Sequence, residues 1–323
     1  MFDQNHLHIV LASDNNYAEF IAVVLVSLFD KNKEFSNITV HILSNVISQE
    51  NQERLKTHIP KEKGEIYFYD ISNLEKMLGI KVPDTIAVSA YARLFIPSIL
   101  PADIDRILYV DCDTLICSSL KSLWTITINN NLIAGVIDPL PNHIPKIKIG
   151  IEEDTPYFNS GVLLINLKLW REENLQQQFL TFLYRHNGHV HHHDQGIINA
   201  VCDGRKRIIH PKFNVMSTFY SHKYSVMNSC NTPFYSEKDI VNAKMNPVII
   251  HFTEDFYNRP WIKNSKHPCL SLYKKYHDMT AWRNAPLRKD HRSLIVRILS
   301  WEFLNLPLFF YKFTQKVIKW LKH

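Results

Sequence analysis

The chain lacks the features that mark secreted, zinc-binding and membrane-spanning proteins. Its five cysteines are scattered along 323 residues and form no Cys-x-x-Cys pair, so neither a disulfide framework nor a zinc knuckle is indicated. The N-terminus, MFDQNHLHIVLA, has neither the basic start nor the long apolar run of a secretory signal. The run IAVVLVSLF is too short to span a bilayer. These absences predict a globular protein of the reducing cytosol.

Positive charge is not in excess over most of the chain and is concentrated at its C-terminus. Residues 283–323 carry nine lysines and arginines against two acids, whereas the other 282 residues carry 28 basic and 29 acidic groups. Enzymes that act on nucleic acid more often spread basic charge around the active cleft, so we expect no nucleic-acid partner. The composition changes near residue 280, where RNAPLRKDHRS begins. The sequence therefore predicts a catalytic domain over residues 1–280 and a basic tail over residues 281–323.

The tail has the pattern of an amphipathic helix. On a helical wheel, Lys312, Lys316 and Lys319 form a stripe beside a broad apolar arc. A lysine stripe beside an aromatic-rich face is typical of helices that lie on anionic lipid, although packing on the body or assembly would also suit it. The arc consists of Phe309, Phe310, Phe313, Val317, Trp320 and Leu321.

Apolar runs alternate with helical patterns from the start of the chain. This alternation predicts an α/β fold with a mainly parallel sheet. A helix is expected at YAEFIAVVLVSLFDKN, a second after the N-cap residue Ser48, and a third at AYARLFIPSIL. Strands are expected over residues 7–13, 38–44, 65–71, 107–110, 132–138, 160–167 and 247–252.

Polar residues follow several of these strands. In open α/β sheets, ligands bind outside the carboxyl ends of the strands, so one crevice could collect these side chains. They are Asp14 and Asn16 after the first strand, Asp111 and Asp113 after ILYV, Asp138 after LIAGVI, and His251 at the end of PVII.

Asp111 and Asp113 are one residue apart at the end of a buried strand. Alternate residues of an extended chain point to the same face, so the two carboxylates need a cation between them or water around them. Their oxygens suit a hard divalent ion, and an imidazole from His251 would favour Mn²⁺, with Mg²⁺ as the alternative. The pair alone also fits a solvated turn, so the spacing leaves both interpretations open.

A series of blocks along residues 7 to about 261 resembles glycosyltransferase family 8, especially its bacterial lipopolysaccharide hexosyltransferases. The order of the blocks matches the family. They read HIVLASDNNYAEF, SAYARLFIPSILP, DRILYVDCDTLICSSLKSLW, YFNSGVLLINLKLWRE, HHHDQGIINAV and IIHFTEDFYNRPW.

The resemblance implies a GT-A fold, a UDP-sugar donor, a Mn²⁺-type cofactor and retention of anomeric configuration. It assigns the metal to Asp111, Asp113 and His251. The last block departs from the family pattern His-x-x-Gly-x-x-Lys-Pro-Trp, because it has two extra residues, Glu254 in place of glycine and Arg259 in place of lysine. The remaining implied positions are Asp14, Asn16 and Tyr17 near the uracil and ribose, Arg93 on the donor side, and Asp138, Asn159, Asp194 and Gln195 around the transferred sugar.

Together these features predict a peripheral enzyme on the inner face of the bacterial inner membrane. It would transfer galactose or glucose from UDP to a lipopolysaccharide or lipooligosaccharide core through an α linkage. A protein or glycan-polymer acceptor is one alternative, and a non-catalytic sugar-nucleotide or lipid-binding relative is another. The histidines in HVHHHDQG are expected to form a polar loop that lines the acceptor cleft rather than a second metal site.

Overall fold

The computed structural model describes residues 2–79, 88–140, 143–229 and 231–321. The N-terminal part follows the predicted strand–helix alternation, and Ser48 caps the second helix by accepting from the backbone N–H of Asn51 at 3.3 Å. The elements are β1 (His6–Asp14), α1 (Ala18–Lys31), β2 (Asn37–Asn45), α2 (Gln49–Lys56), β3 (Gly64–Asp70) and α3 (Leu74–Leu78).

The predicted helix AYARLFIPSIL is a 3₁₀ helix at Val88–Phe95 followed by one α-helical turn, α4 (Ile96–Ile99). Pro97 explains this difference, because it has no N–H to donate to the carbonyl of Arg93 and fits only the first turn of a new helix. The next elements are β4 (Arg106–Val110), β5 (Thr114–Ile116), α5 (Lys121–Trp124), β6 (Ile133–Ile137), α6 (His143–Ile149) and β7 (Phe158–Asn166).

The second half of the chain is mainly helical and ends in two helices of the basic tail. Among the described residues, no helix combines the length and the apolar character needed to cross a membrane. The elements are α7 (Leu167–Glu172), α8 (Leu175–Arg185), α9 (His193–Val201), β8 (Lys206–Ile208), β9 (Val215–Met216), α10 (Ser217–Ser221), α11 (Tyr224–Ser229), α12 (Glu237–Met245), β10 (Ile249–His251), α13 (Leu270–His277), α14 (Leu294–Asn305) and α15 (Leu308–Leu321).

Seven strands form the central sheet in the order β3-β2-β1-β4-β7-β6-β8. Only the two pairings of β7, with β4 and with β6, are antiparallel, so the predicted mainly parallel α/β sheet is confirmed. Strand β10 lies outside this sheet, in a small sheet of order β5-β10-β9. Its antiparallel pairing with β5 places His251 opposite Thr114, the residue that follows Asp113 in the chain.

A row of imidazoles and phenols crosses β1, β2 and β3. His8 Nδ1 lies 3.2 Å from His41 Nε2, and His41 Nδ1 lies 3.0 Å from the hydroxyl of Tyr69. Burial, together with neighbouring histidines, lowers the pKa of His8 to about 4 and that of His41 to about 3. The folded protein therefore keeps both rings neutral at pH values where the unfolded chain protonates them.

We expect the free energy of unfolding to fall as the pH is lowered from 7 to 5. The loss begins near the ordinary histidine pKa of 6.5 because only the unfolded state binds protons below it. Each histidine should contribute about 2 kcal/mol over this range. Urea unfolding at both pH values measures the loss. His41→Gln keeps a partner for Tyr69 and should remove about 2 kcal/mol of the dependence, to which His267, whose pKa burial lowers to about 4, also contributes. An unchanged dependence would contradict the assignment.

Candidate active site

A cavity of about 220 Å³ lies at the carboxyl ends of β1 and β4. Asp14 accepts backbone hydrogen bonds from Asn16 at 2.9 Å and Tyr17 at 3.2 Å, which fixes the turn that follows β1. Asn16 itself is exposed and does not line the cavity. The structure thus brings together five of the predicted residues, namely Asp14, Tyr17, Arg93, Asp111 and Asp113.

Asp111, Asp113 and His251 converge at this cavity. One ligand atom from each lies within 4.8 Å of the others, the only such grouping of three found in the described part of the chain. His251 Nε2 is 3.1 Å from Asp113 Oδ1 and 3.8 Å from Asp111 Oδ2. A β-carbon at Gly161 would collide with His251 and Asp111, so glycine permits the close approach of β7.

The hydrogen bonds around His251 fix its tautomer, that is, which of the two ring nitrogens carries a proton. The backbone N–H of Gly161 donates to Asn159 Oδ1, and Asn214 Nδ2 donates to the same atom at 2.9 Å. Asn214 therefore turns its own Oδ1 toward His251 Nδ1, 3.1 Å away, and this nitrogen must carry a proton.

His251 Nε2 consequently faces two carboxylates and requires a proton or a metal ion. Burial disfavours the charged imidazole, but Asp113 and Asp111 outweigh it, so the pKa of His251 is raised. The site thus stabilises positive charge between these three residues. Two carboxylate oxygens and an imidazole nitrogen are a ligand set that suits Mn²⁺.

Arg93 is buried and holds two carboxylates in place. Its Nη2 lies 2.8 Å from Asp111 Oδ1, and its Nε lies 3.1 Å from Asp194 Oδ2. Nη1 donates to the carbonyl of Ser160 at 2.6 Å, and the guanidinium stacks on Tyr109. Burial opposes its charge, but Asp111 and Asp194 raise its pKa above the ordinary value. Contact of Arg93 with the donor stays a prediction.

Asp138, Asn159 and Gln195 form a second cluster beside Asp111, Asp113 and His251, the candidate metal-binding group. Gln195 Nε2 and Asn159 Nδ2 donate to Asp138 Oδ2 at 3.1 and 3.3 Å. The Gln195 oxygen accepts from the backbone N–H of Ser160 at 3.1 Å, and Ser160 Oγ donates to Asp194. Through Asn159 and Asn214 this cluster is continuous with His251.

The sequence did not single out several residues of this network. Asn214 is fully buried and orients His251, yet only the pairing of β9 with β10 brings it there. Tyr109 donates to Asp111 Oδ1 at 3.0 Å, and its alternation with Asp111 along the strand was the signal that could have identified it. Gly161 and Ser160 had no local signal beyond their place in SGVLLINL.

The histidine loop leads directly into α9, which carries Asp194 and Gln195. His192 and His193 adopt positive φ angles of 58° and 53°, and His192 Nδ1 lies 2.9 Å from the hydroxyl of Tyr157. His191 stacks on His192, whereas His193 packs against Tyr91. The rings thus face different partners, and their predicted role in the acceptor cleft stays a prediction.

The loop after β10 differs from the family pattern and contacts the C-terminal tail. Arg259 Nη2 lies 3.2 Å from Asp113 Oδ2, so the loop reaches the candidate metal-binding group. Phe256 stacks on Phe303 with ring centroids 3.8 Å apart and meets Tyr311 edge-on. The longer loop therefore connects the active site to α14 and α15.

Residues just after the predicted boundary at 280 also contact the catalytic body. Arg288 Nη2 lies 2.7 Å from Glu19 Oε1 and donates to the carbonyl of Asn16. Its guanidinium stacks on Phe20. The domain boundary stays a prediction, and a truncation of the tail must leave Arg288 in place.

Comparison with known proteins gives a consistent result. Residues 8–265 match the model described as Glycosyl transferase family 8. A putative glycosyltransferase of Haemophilus influenzae is 30% identical over 264 residues, which are 81% of this chain and 74% of the relative. A lipopolysaccharide 1,2-glucosyltransferase of Escherichia coli is 26% identical over 280 residues, which are 85% of this chain and 79% of the relative.

A solved structure extends the likeness to three dimensions. The galactosyltransferase LgtC, in complex with donor and acceptor sugar analogs, superposes with a TM-score of 0.72 and 26% identity, over 86% of this chain and 99% of that one. This likeness confirms the predicted GT-A fold. Since the family model matches most of the chain, including Asp111, Asp113 and His251, the chain belongs to glycosyltransferase family 8.

Proposed function

We propose that the protein is a metal-dependent, retaining hexosyltransferase. It takes galactose or glucose from a UDP-sugar and adds it to a lipopolysaccharide or lipooligosaccharide core. The observation that carries the proposal is the convergence of Asp111, Asp113 and His251 beside the cavity that Asp14 and Tyr17 also line. Relatives named as lipopolysaccharide glucosyl- and galactosyltransferases support the acceptor class.

Mn²⁺, with Mg²⁺ as the alternative, would be held by Asp111, Asp113 and His251. A divalent ion there supplies positive charge that offsets the developing charge on the departing diphosphate. Arg259 adds a fixed cation beside Asp113, with a planar fork suited to phosphate oxygens. Asp14, Asn16 and Tyr17 would hold the uridine, and Arg93 keeps Asp111 oriented toward the ion.

The transfer breaks the bond between the anomeric carbon and the diphosphate oxygen and forms one to an acceptor hydroxyl oxygen. Asp194 is paired with Arg93, and both oxygens of Asp138 accept hydrogen bonds. These contacts make each of the two carboxylates a weak nucleophile. We therefore favour attack on the same face, with the hydroxyl proton passing to the departing diphosphate oxygen. Gln195, Asp138 and Asn159 would position the sugar.

A screen of UDP-sugars, scored by UDP release with and without Mn²⁺, tests this proposal. Metal-dependent hydrolysis of UDP-galactose or UDP-glucose is expected, with faster release when a core oligosaccharide acceptor is added. Saturable donor binding without any release would instead favour the non-catalytic relative, for which the altered loop with Glu254 is the supporting feature. Faster release with a protein or glycan-polymer acceptor would change the proposed acceptor class and leave the proposed donor unchanged.

The product should carry an α linkage if the donor is an α-linked UDP-hexose. The physical reason is that departure and attack on the same face of the sugar preserve the anomeric configuration. The coupling constant of the anomeric proton in the NMR spectrum of the product measures this directly. A β product would refute retention while leaving the donor assignment intact.

We further propose that the tail holds the enzyme on the cytoplasmic face of the inner membrane. Phe309 and Phe313, which are 63% and 64% exposed, offer apolar surface beside Lys312 and Lys316. The charge and aromatic content of the tail suit an anionic lipid surface.

Removing the residues after Arg292 should release the protein from vesicles that contain phosphatidylglycerol. This cut keeps Arg288, so its contacts with Glu19 survive. A matched variant, Lys312→Gln with Lys316→Gln and Lys319→Gln, keeps the contacts of Phe303 and Tyr311 with the body. It should lose about 1 kcal/mol of membrane binding per lysine at low salt. Vesicle flotation of the full-length protein, the truncated protein and the lysine variant measures both effects. Equal flotation of these three proteins would show that the membrane contact lies outside the tail.

A further inference from the structure

A second cavity of about 860 Å³ lies between the loop after β10 and helix α14. One wall is formed by Phe256, Tyr257 and Asn258, which directly precede Arg259 in the chain. The opposite wall is formed by α14. The cavity is separate from the 220 Å³ cavity of the metal-binding group, which shares none of its lining residues.

The charge of this cavity is strongly positive. Its lining includes one acid, Asp290, and that carboxylate is already satisfied by Asn258 and by two nitrogens of Arg292. Arg297 is more distant from Asp290, at 3.8 Å, and is 55% exposed. In the described part of the chain, no ion pair involves the three lysines of the lining, which are Lys263, Lys266 and Lys289.

The wall formed by α14 is mainly apolar. Beside the polar residues Arg297, Ser300 and Asn305, it presents Leu294, Ile298, Trp301 and Leu304 to the cavity. Leu294 and Trp301 are 67% and 58% exposed, so this apolar surface extends beyond the cavity onto the outside of the tail. The cavity therefore combines cations that can bind a polyvalent anion with a wall that suits a hydrocarbon chain.

We propose that this cavity binds the phosphate-bearing head group of a glycolipid, as the anchoring site for the lipid-linked acceptor. A phosphate carries several oxygens and up to two charges, which three lysines and an arginine can share. An acceptor held here would lie beside the loop whose next residue, Arg259, contacts Asp113. The role as acceptor anchor rests on the proposed function, whereas binding of the glycolipid phosphate does not require turnover.

The test uses the full-length protein and dodecyl glucoside 6-phosphate in neutral detergent micelles. Binding is measured by isothermal titration without any donor. The comparison ligands are dodecyl glucoside, phosphatidylglycerol in the same micelles, and inorganic phosphate. The variant Lys263→Ala/Lys266→Ala/Lys289→Ala is compared with Lys33→Ala/Lys61→Ala/Lys76→Ala. The second variant removes three exposed lysines that flank β2 and β3 in the sequence and do not line the cavity. Circular dichroism and thermal unfolding establish that each variant is folded.

We expect the cavity variant to bind the phosphorylated glucoside at least tenfold more weakly, with wild-type affinity in the matched control. Dodecyl glucoside and inorganic phosphate should each bind more weakly than the combined ligand. Unchanged affinity of a folded cavity variant would overturn the proposal. The tail lysines, which the cavity variant keeps, are expected to bind phosphatidylglycerol by themselves, so only the change in that variant reports on the cavity. An equal loss of phosphatidylglycerol binding in the cavity variant would reduce the cavity to a general lipid surface. Wild-type binding of inorganic phosphate as tight as that of the phosphorylated glucoside would exclude a role for the sugar and the hydrocarbon chain. A UDP-sugar screen that fails would refute the proposed enzyme and leave this binding result standing.

Discussion

Replacing Asp113 by asparagine is expected to lower UDP release by at least about a thousandfold, which corresponds to roughly 4 kcal/mol of transition-state stabilisation. The substitution preserves shape but removes the charge that His251 and Arg259 both face, at 3.1 and 3.2 Å. A metal ion held there would then lose a charged ligand, and Arg259 would lose the carboxylate with which it pairs. Asp111→Asn should act in the same direction.

The measurement combines UDP release with titration of Mn²⁺, so that metal affinity is read independently of turnover. Asp105→Asn is a matched control because it makes the same change just before β4, on an exposed side chain. It should leave both quantities unchanged. If Asp113→Asn retained more than a tenth of the wild-type rate with normal Mn²⁺ affinity, the assignment of the metal site would be wrong.

The shared direction of the Asp111 and Asp113 side chains was predictable because it depends on a local pattern. A buried strand followed by two acids one residue apart directs both carboxylates to one side. The reasoning for His251 was less complete, since the parallel-sheet rule suggested one common sheet edge. Strand β10 in fact belongs to the small sheet, and its antiparallel pairing with β5 brings His251 beside Asp113.

Other parts of the site depend on contacts between distant segments and had no local signal. Asn214 orients His251 only because β9 pairs with β10. The sequence showed that the loop after β10 is longer than the family pattern, but not that Phe256 would stack on Phe303 in the tail. By contrast, the break in the helix near residue 95 could have been predicted from Pro97.

Arg93 shows how a single cation couples the two halves of the site. It lies on the 3₁₀ helix before β4 and bonds Asp111, which follows β4, and Asp194, which lies on α9. The carboxylate of Asp111, in the candidate metal site, and that of Asp194, which we propose lies on the sugar side, are therefore held by one guanidinium. A change at Arg93 should affect folding stability and catalysis together.

Replacing Arg93 by methionine is expected to lower the free energy of unfolding by about 3–5 kcal/mol, because it leaves the buried carboxylate of Asp194 and the partly buried carboxylate of Asp111 without their partner. Burial already raises the pKa of Asp194 in spite of Arg93. Without Arg93, protonation of Asp194 in the folded state should relieve part of the cost, so the loss should be smaller at pH 5 than at pH 7. Urea unfolding at both pH values measures it.

Two further variants separate the buried charge from a general effect of losing an arginine. Arg205→Met breaks an ion pair with Glu173 in which both side chains are more than a third exposed, and should cost less than about 1 kcal/mol. Arg93→Met combined with Asp194→Asn removes one of the unpaired charges and should recover part of the stability, but not the turnover, because Asp111 still lacks its partner. A loss for Arg93→Met no larger than that for Arg205→Met would show that the two carboxylates do not depend on Arg93, and the proposed coupling between the metal and sugar sides would fail.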